Sequence, residues 1–309
     1  MKTVLLFFVF LSLVPLDAQT SPVLSPKVEV PVLPKAPAGG LEYFHDVEVG
    51  TGEGRPLHAE IVLPKVRPAQ AMPAVIWIHG GGLKGGSYKG NVAAFLAPYG
   101  YVAVSIEYRF ISESPWPAQM EDCKLAVRYL RANASKYQID PHRIGVWGHS
   151  SGAQLASLLG TAETDPDLEG TGGYPGVSSK VNAVVDVAGP NDATLYPASA
   201  KEAIFGKEKA GDGELLKRAS PLYRVKAGNP PFLILHGSAD KSVPPEVSIA
   251  FKEALEKAGV PVRMVVVQGG DHGLNGPPGG PPAEPDKDGV RALILDFFEK
   301  NLKVQPTPN

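Results

Sequence analysis

From Ala74 onward the chain repeats one pattern: a short, mainly apolar run, a break, then a longer stretch with apolar residues three or four positions apart. These mainly apolar runs are Ala74 to Ile78, which is continuously apolar, Tyr101 to Glu107, Ile144 to Trp147, Val181 to Val187, Pro231 to Leu235 and Val262 to Val267. Runs this short, without alternation, predict strands buried on both faces. Between them the spacing turns helical. Val92 to Ala97 is one such stretch, and Pro117 opens another that reaches about Tyr137, with Met120, Cys123, Val127 and Leu130 on one face. Asp140-Pro141 is read as the stop of that helix, and Ile144 as the start of the next strand. Two further stripes follow: Val247, Ala250, Phe251, Ala254, Leu255 and Ala258, then Val290, Leu293, Ile294, Phe297 and Phe298 in a closing helix.

Upstream, Leu41 to Val49 and His58 to Leu63 alternate apolar and polar around the turn Gly50-Thr51-Gly52-Glu53-Gly54, which predicts a hairpin. Hairpin and alternation together predict an α/β chain: a central, mostly parallel eight-stranded sheet with an N-terminal antiparallel hairpin and helices on both faces. Between Gly189 and Pro230 there is no strand signal, only short helical pieces at Lys201 to Phe205 and Glu214 to Arg218. A connection of that length is read as a small lid insertion over 190–229, with a plain surface excursion as the alternative.

Composition narrows the picture. The 309 residues are 43% hydrophobic, enough for one large core, placed here at 41–303. A formal charge of −2, with no dense Lys/Arg stripe, argues against a nucleic-acid partner. Residues 1–18 carry Lys2, an apolar run from Val4 to Leu16 and the small residue Ala18. That run is shorter than the roughly 20 residues a membrane span needs. It predicts a cleaved signal peptide, and so a secreted or periplasmic protein without a stable membrane anchor. A proline-rich linker over 19–40 and a tail over 304–309 flank the core. Cys123, the single cysteine, excludes an intramolecular disulfide and is read as a buried apolar residue.

Candidate chemistry sits where strands end. Gly148-His149-Ser150-Ser151-Gly152 is a G-x-S-x-G pentapeptide between an apolar run and a helix-forming run. A strand that turns this sharply into a helix needs glycines where Cβ atoms would collide, and it exposes Ser150 as a nucleophile. His79-Gly80-Gly81-Gly82 follows the strand from Ala74, and its glycines let successive N–H groups point at one developing oxyanion. The phosphate-cradling string G-x-x-x-x-G-K-[ST] does not occur. His79 is read as a brace for the loop. Only His236 and His272 follow Ser150, and His272, on the loop after the last strand, is preferred as base. Asp240, just past the penultimate strand, is the preferred acid; Asp271 is too close to its neighbour His272 to reach the inner ring nitrogen. Neither H-E-x-x-H nor C-x-x-C occurs, so no metal site is expected.

Together, H-G-G-G at 79 to 82, G-H-S-S-G at 148 to 152, H-G-S-A-D at 236 to 240 and D-H-G at 271 to 273 resemble the α/β-hydrolases. Within them the chain resembles carboxylesterases of the hormone-sensitive-lipase-like branch, and most of all bacterial exported acetylxylan and feruloyl esterases. The resemblance spans nearly everything from Leu41 to Leu302. It implies a Ser150–Asp240–His272 triad, an oxyanion hole from the N–H groups of Gly81, Gly82 and Ser151, and no cofactor. It also implies a small-molecule or polysaccharide-linked ester as substrate. Leu83 departs from the pattern, because those proteins commonly carry Trp after the glycines. Two other readings share parts of this pattern. A prolyl-oligopeptidase-like serine peptidase has the same catalytic order but normally a large extra domain, and a non-catalytic binding protein on this scaffold would usually have lost one of the motifs.

Overall fold

The computed structural model describes residues 29–163 and 165–303. The expected signal peptide, the first part of the linker and the tail over 304–309 lie outside the described residues. Among these residues eight strands form one sheet: β1 (Leu41–Gly52), β2 (Arg55–Pro64), β3 (Met72–Ile78), β4 (Val102–Ile106), β5 (Ile139–His149), β6 (Ala183–Val187), β7 (Phe232–Gly237) and β8 (Val262–Val267), in the order β1-β2-β4-β3-β5-β6-β7-β8. β1 and β2 pair antiparallel, β2 joins β4 antiparallel, and every pairing from β4 to β8 is parallel. All carboxyl ends of the parallel strands therefore open on one edge, where ligands bind in sheets of this kind.

Among the described residues there are seven α-helices: α1 (Ala118–Ala132), α2 (Ala134–Tyr137), α3 (Ser151–Thr161), α4 (Ala198–Phe205), α5 (Gly213–Arg218), α6 (Pro245–Lys257) and α7 (Lys287–Leu302). One core cluster joins α1, α3 and α6 to one face of the sheet; a second joins α7 and the 3₁₀ segment Val92–Tyr99 to the other. Cys123 is fully buried in the first cluster, as its place on the apolar stripe requires. The 190–229 stretch consists of α4, α5 and two 3₁₀ turns, and sends Ile204, Phe205, Leu216 and Ala219 into the same cluster. Among the described residues, no helix is long and apolar enough to cross a membrane.

Local chemistry moved several expected boundaries. The hairpin ladder runs on through Gly52↔Arg55, leaving a two-residue turn at Glu53-Gly54. Both residues have positive φ (50° and 84°), the condition for a tight turn matched to strand twist. Val92–Tyr99 is 3₁₀ rather than α, since Pro98 lacks the N–H an α ladder needs there. The helix expected to reach Tyr137 breaks at Asn133, whose side-chain amide and backbone N–H both bond the Tyr129 carbonyl. β5 begins at Ile139, five residues before Ile144. Ile139 pairs with Met72, and the ladder then slips so that Asp140-Pro141 falls in an unpaired bulge, where proline is tolerated.

Candidate active site

β5 delivers Ser150 to the carboxyl edge and α3 leaves from Ser151. Ser150 has φ 56° and ψ −126°, a backbone conformation that costs a non-glycine residue of order 1–3 kcal/mol and persists only when its surroundings over-determine it. Here they do. The Ser150 N–H donates to the Val187 carbonyl at 2.9 Å, and the flanking glycines let the turn close. A Cβ on Gly148 would sit 2.1 Å from the Gly152 carbonyl oxygen, and one on Gly152 would sit 2.2 Å from the Ile78 carbonyl oxygen. Both contacts are with backbone, which cannot step aside. Gly148→Ala is accordingly expected to cost about 3 kcal/mol of stability, read as a lowered denaturation midpoint at unchanged m-value. A midpoint equal to that of the unaltered chain would contradict this account of the turn.

The glycine loop lies over the same point. A Cβ on Gly80 would come within 3.1 Å of the Ser150 Cβ, and the Leu83 N–H donates to the Ser151 hydroxyl at 3.3 Å. Gly81 and Gly82 take φ of 119° and 63°, and no acceptor takes their N–H groups among the described residues. Ser151, as the first residue of α3, offers a first-turn N–H with no partner within the helix. His79 braces the loop from below: it is buried, stacks on Tyr108 with ring centroids 4.4 Å apart, and its carbonyl accepts the Tyr108 hydroxyl at 3.0 Å. Burial holds its imidazole below the usual histidine range, against the opposing hydrogen bond to the Gly80 carbonyl.

Asp240 and His272 meet as the sequence leads one to expect. His272 Nδ1 is 2.7 Å from Asp240 Oδ2, and Oδ1 accepts the N–H groups of Ser242 and Val243 at 2.7 and 3.0 Å. Burial raises the Asp240 pKa, but the His272 ring and the two N–H donors outweigh it and hold the carboxyl below the ordinary range. Asp271 does not compete: its Oδ1 accepts the N–H groups of Gly273 and Asn275 and shapes the turn carrying His272.

Two histidines have roles at the site that sequence reasoning did not assign. His236, set aside as a base, is fully buried, with Nε2 2.9 Å from the Val243 carbonyl and 3.2 Å from Asp240 Oδ2. A carbonyl only accepts, so Nε2 carries the hydrogen and Nδ1 accepts from the Ser248 hydroxyl at 2.7 Å. The ring thus gives its one N–H to the Val243 carbonyl while the same nitrogen lies against Asp240 Oδ2, the oxygen that also meets His272. His149, the variable residue of G-x-S-x-G, donates its Nε2–H to the His272 carbonyl at 2.8 Å, with the two rings 4.9 Å apart. Desolvation lowers its pKa, outweighing the raising effect of that bond. His149 ties the residue before Ser150 to the backbone of the candidate base, 123 positions away. Its only sequence signal was adjacency to the serine. Among the described residues, no group of three or more His, Cys, Asp or Glu side chains could hold a metal ion.

This geometry can be set beside known proteins. The model of one family, BD-FAE, matches residues 59–255, more than half of the chain and all of the site up to the loop of His272. The chain belongs to the BD-FAE family. Esterase LipC of Mycobacterium tuberculosis is 30% identical over 246 residues, covering 75% of this chain and 60% of LipC. The chain spans about half the length of the curated relatives it matches, 53% for the probable carboxylic ester hydrolase LipM of the same organism. Among solved structures, a truncated carbohydrate esterase from gut microbiota superposes with a TM-score of 0.73 at 31% identity, over 86% of this chain and 99% of that one. An acetyl ester-xyloside bifunctional hydrolase from Caldicellulosiruptor lactoaceticus gives 0.65 at 26% identity, over 86% and 95%. The BD-FAE chain thus has the α/β-hydrolase fold, and the proteins it resembles are ester hydrolases.

Proposed function

We propose that this BD-FAE protein is an exported carboxylic ester hydrolase that cleaves short-acyl esters, acetyl or feruloyl groups on plant polysaccharide among them, through an acyl-enzyme on Ser150. The observation that carries the reading is the buried Asp240 carboxylate, 2.7 Å from His272 Nδ1, at the edge where the strained Ser150 turn lies under the glycine loop. In this scheme the Ser150 hydroxyl attacks the ester carbonyl while His272 Nε2 takes its proton. Asp240 holds the ring with Nδ1–H inward and stabilises the cation that forms. The N–H groups of Gly81, Gly82 and Ser151 bind the oxyanion, each worth roughly 10²- to 10³-fold in turnover. His272 returns the proton to the leaving alkoxide, and water, activated by the same ring, releases the acid. The substrate class draws on the carbohydrate esterase among the solved structures, and export on the apolar leader.

The 190–229 stretch serves in this reading as a cover. Tyr196 ties it down, its hydroxyl donating at 2.7 Å to Gln154 Oε1 on α3 and lying 2.8 Å from the Pro190 carbonyl. Leu83 stands where Trp is common and is buried at φ 61°, its N–H on Ser151. A series of acetyl, butyryl, octanoyl and feruloyl esters, with a Gly-Pro anilide beside them, tests the reading. Acetyl and feruloyl esters are expected to turn over and the anilide not. Anilide cleavage without ester cleavage would overturn it in favour of a peptidase.

A further inference from the structure

On the face of the sheet covered by α7, a cavity of about 630 Å³ opens at the carboxyl edge behind His149. Its floor is aromatic. Trp77 and Trp147 are register partners on the parallel strands β3 and β5, so both indoles project to the same face. Phe95 meets Trp147 edge-on, with centroids 5.8 Å apart. Trp77 is the one residue of β3 that is not buried, because the cavity leaves it uncovered. Lys287 and Arg291, one turn apart on α7, stand in the wall, and the Arg291 guanidinium lies 5.6 Å from the Phe95 ring centre.

We propose that this cavity is an alcohol-side subsite for an acidic sugar unit, a pyranose ring carrying a carboxylate; the alcohol-side placement rests on the esterase reading. The leaving oxygen must come within about 3 Å of the His272 ring to receive its proton. Gly273, Leu274 and Asn275, the residues directly after that base, line the cavity, as does the His149 ring, whose centre is 4.9 Å from that of His272. What fills it is therefore attached to the leaving alcohol. The negatively polarised face of an indole attracts the C–H face of a sugar ring, and the volume falls within the range of roughly 300–1,000 Å³ common for small-ligand sites, ample for one or two sugar rings.

Charge selects the acidic sugar. Lys287 makes no ion pair among the described residues, and Arg291 has only Asp288 at 3.4 Å, with 69% of the Asp288 side chain exposed. Asp286 is engaged on the Gly289 N–H, and neither aspartate lines the cavity. Two cations thus face an aromatic hollow, and a carboxylate on the bound ring completes them.

The test titrates the full chain with xylotriose and with xylotriose bearing one glucuronic acid branch, neither of which carries an ester, by calorimetry and indole fluorescence. The acidic ligand is expected to bind about tenfold tighter at low salt, with an advantage that shrinks at high salt. Arg291→Gln, a change on the surface of a helix, is expected to remove the advantage, and Trp77→Leu to reduce the fluorescence response to what Trp147 gives. Equal affinity for the two sugars, or an advantage that survives in Arg291→Gln, overturns the assignment. Hydrolysis of 4-nitrophenyl acetate by the unaltered chain is measured in parallel. If the acidic sugar is preferred while no ester is cleaved, the esterase reading and the alcohol-side placement fall and the acidic-sugar site stands.

Discussion

Replacing Ser150 by alanine will reduce turnover of 4-nitrophenyl acetate by roughly 10⁵- to 10⁶-fold, the loss typical when a catalytic serine is removed from a hydrolase triad. The substitution is clean here. Alanine and serine both carry a Cβ, so the backbone strain at φ 56° is the same in both. The turn is held by the Ser150 N–H on Val187 and by the two flanking glycines, none of which the change touches. Thermal midpoint and secondary structure should stay as they were, while labelling by a fluorophosphonate, which needs the activated hydroxyl, disappears. A variant that still turns over the ester at full rate would remove Ser150 from the chemistry altogether.

Asp240→Asn should be the second severe loss, about 10⁴-fold in kcat, for a reason visible in the hydrogen bonds. The hydrogen bonds to the carboxylate all come from donors: Ser242 and Val243 N–H on Oδ1 and the His272 ring N–H on Oδ2, with the N–H-bearing Nε2 of His236 3.2 Å from Oδ2. An amide must turn its NH₂ toward one of these pairs, setting donor against donor. If it faces the rings, the His272 tautomer inverts and the base is lost. If it faces the loop, two backbone N–H groups go unpaired. Either way stability falls too, by about 3 kcal/mol, from buried donors left without partners.

The sign of the acid dependence follows from the same group. The folded-state pKa of Asp240 is depressed, so its carboxylate contributes stability that is present above the ordinary value near 4 and lost as pH falls through the lowered one. The asparagine variant lacks that contribution at every pH. Its denaturation midpoint should therefore fall less between pH 5 and pH 2.5 than that of the unaltered chain, and an equal fall in both would contradict the role given to Asp240.

Much of this was open to reading along the chain. Short, mainly apolar runs bounded by turn residues read as strands covered on both faces, and helical stripes between them point to parallel crossovers. Glycines beside Ser150 and after His79 marked sharp turns, because only they fit where backbone meets backbone at 2.1 to 2.2 Å. The segment boundaries were less legible. Pro141 signalled a stop, yet a slipped ladder lodges it inside β5. Asn133 sat on a helical stripe that its own amide interrupts.

The sequence by itself determined the parallel sheet, its edge of functional loops and the residues that could be nucleophile, acid and base, since each depends on periodicity or on a backbone turn encoded within a few positions. Only the tertiary structure decided that His236 shares a carboxylate oxygen with His272, that His149 holds the loop of His272, and that Trp77 and Trp147 floor one hollow beside them. Those contacts arise from the register of strands and the crossing of loops far apart in the chain. Each is a distance between elements, and no local pattern of residues carries that information.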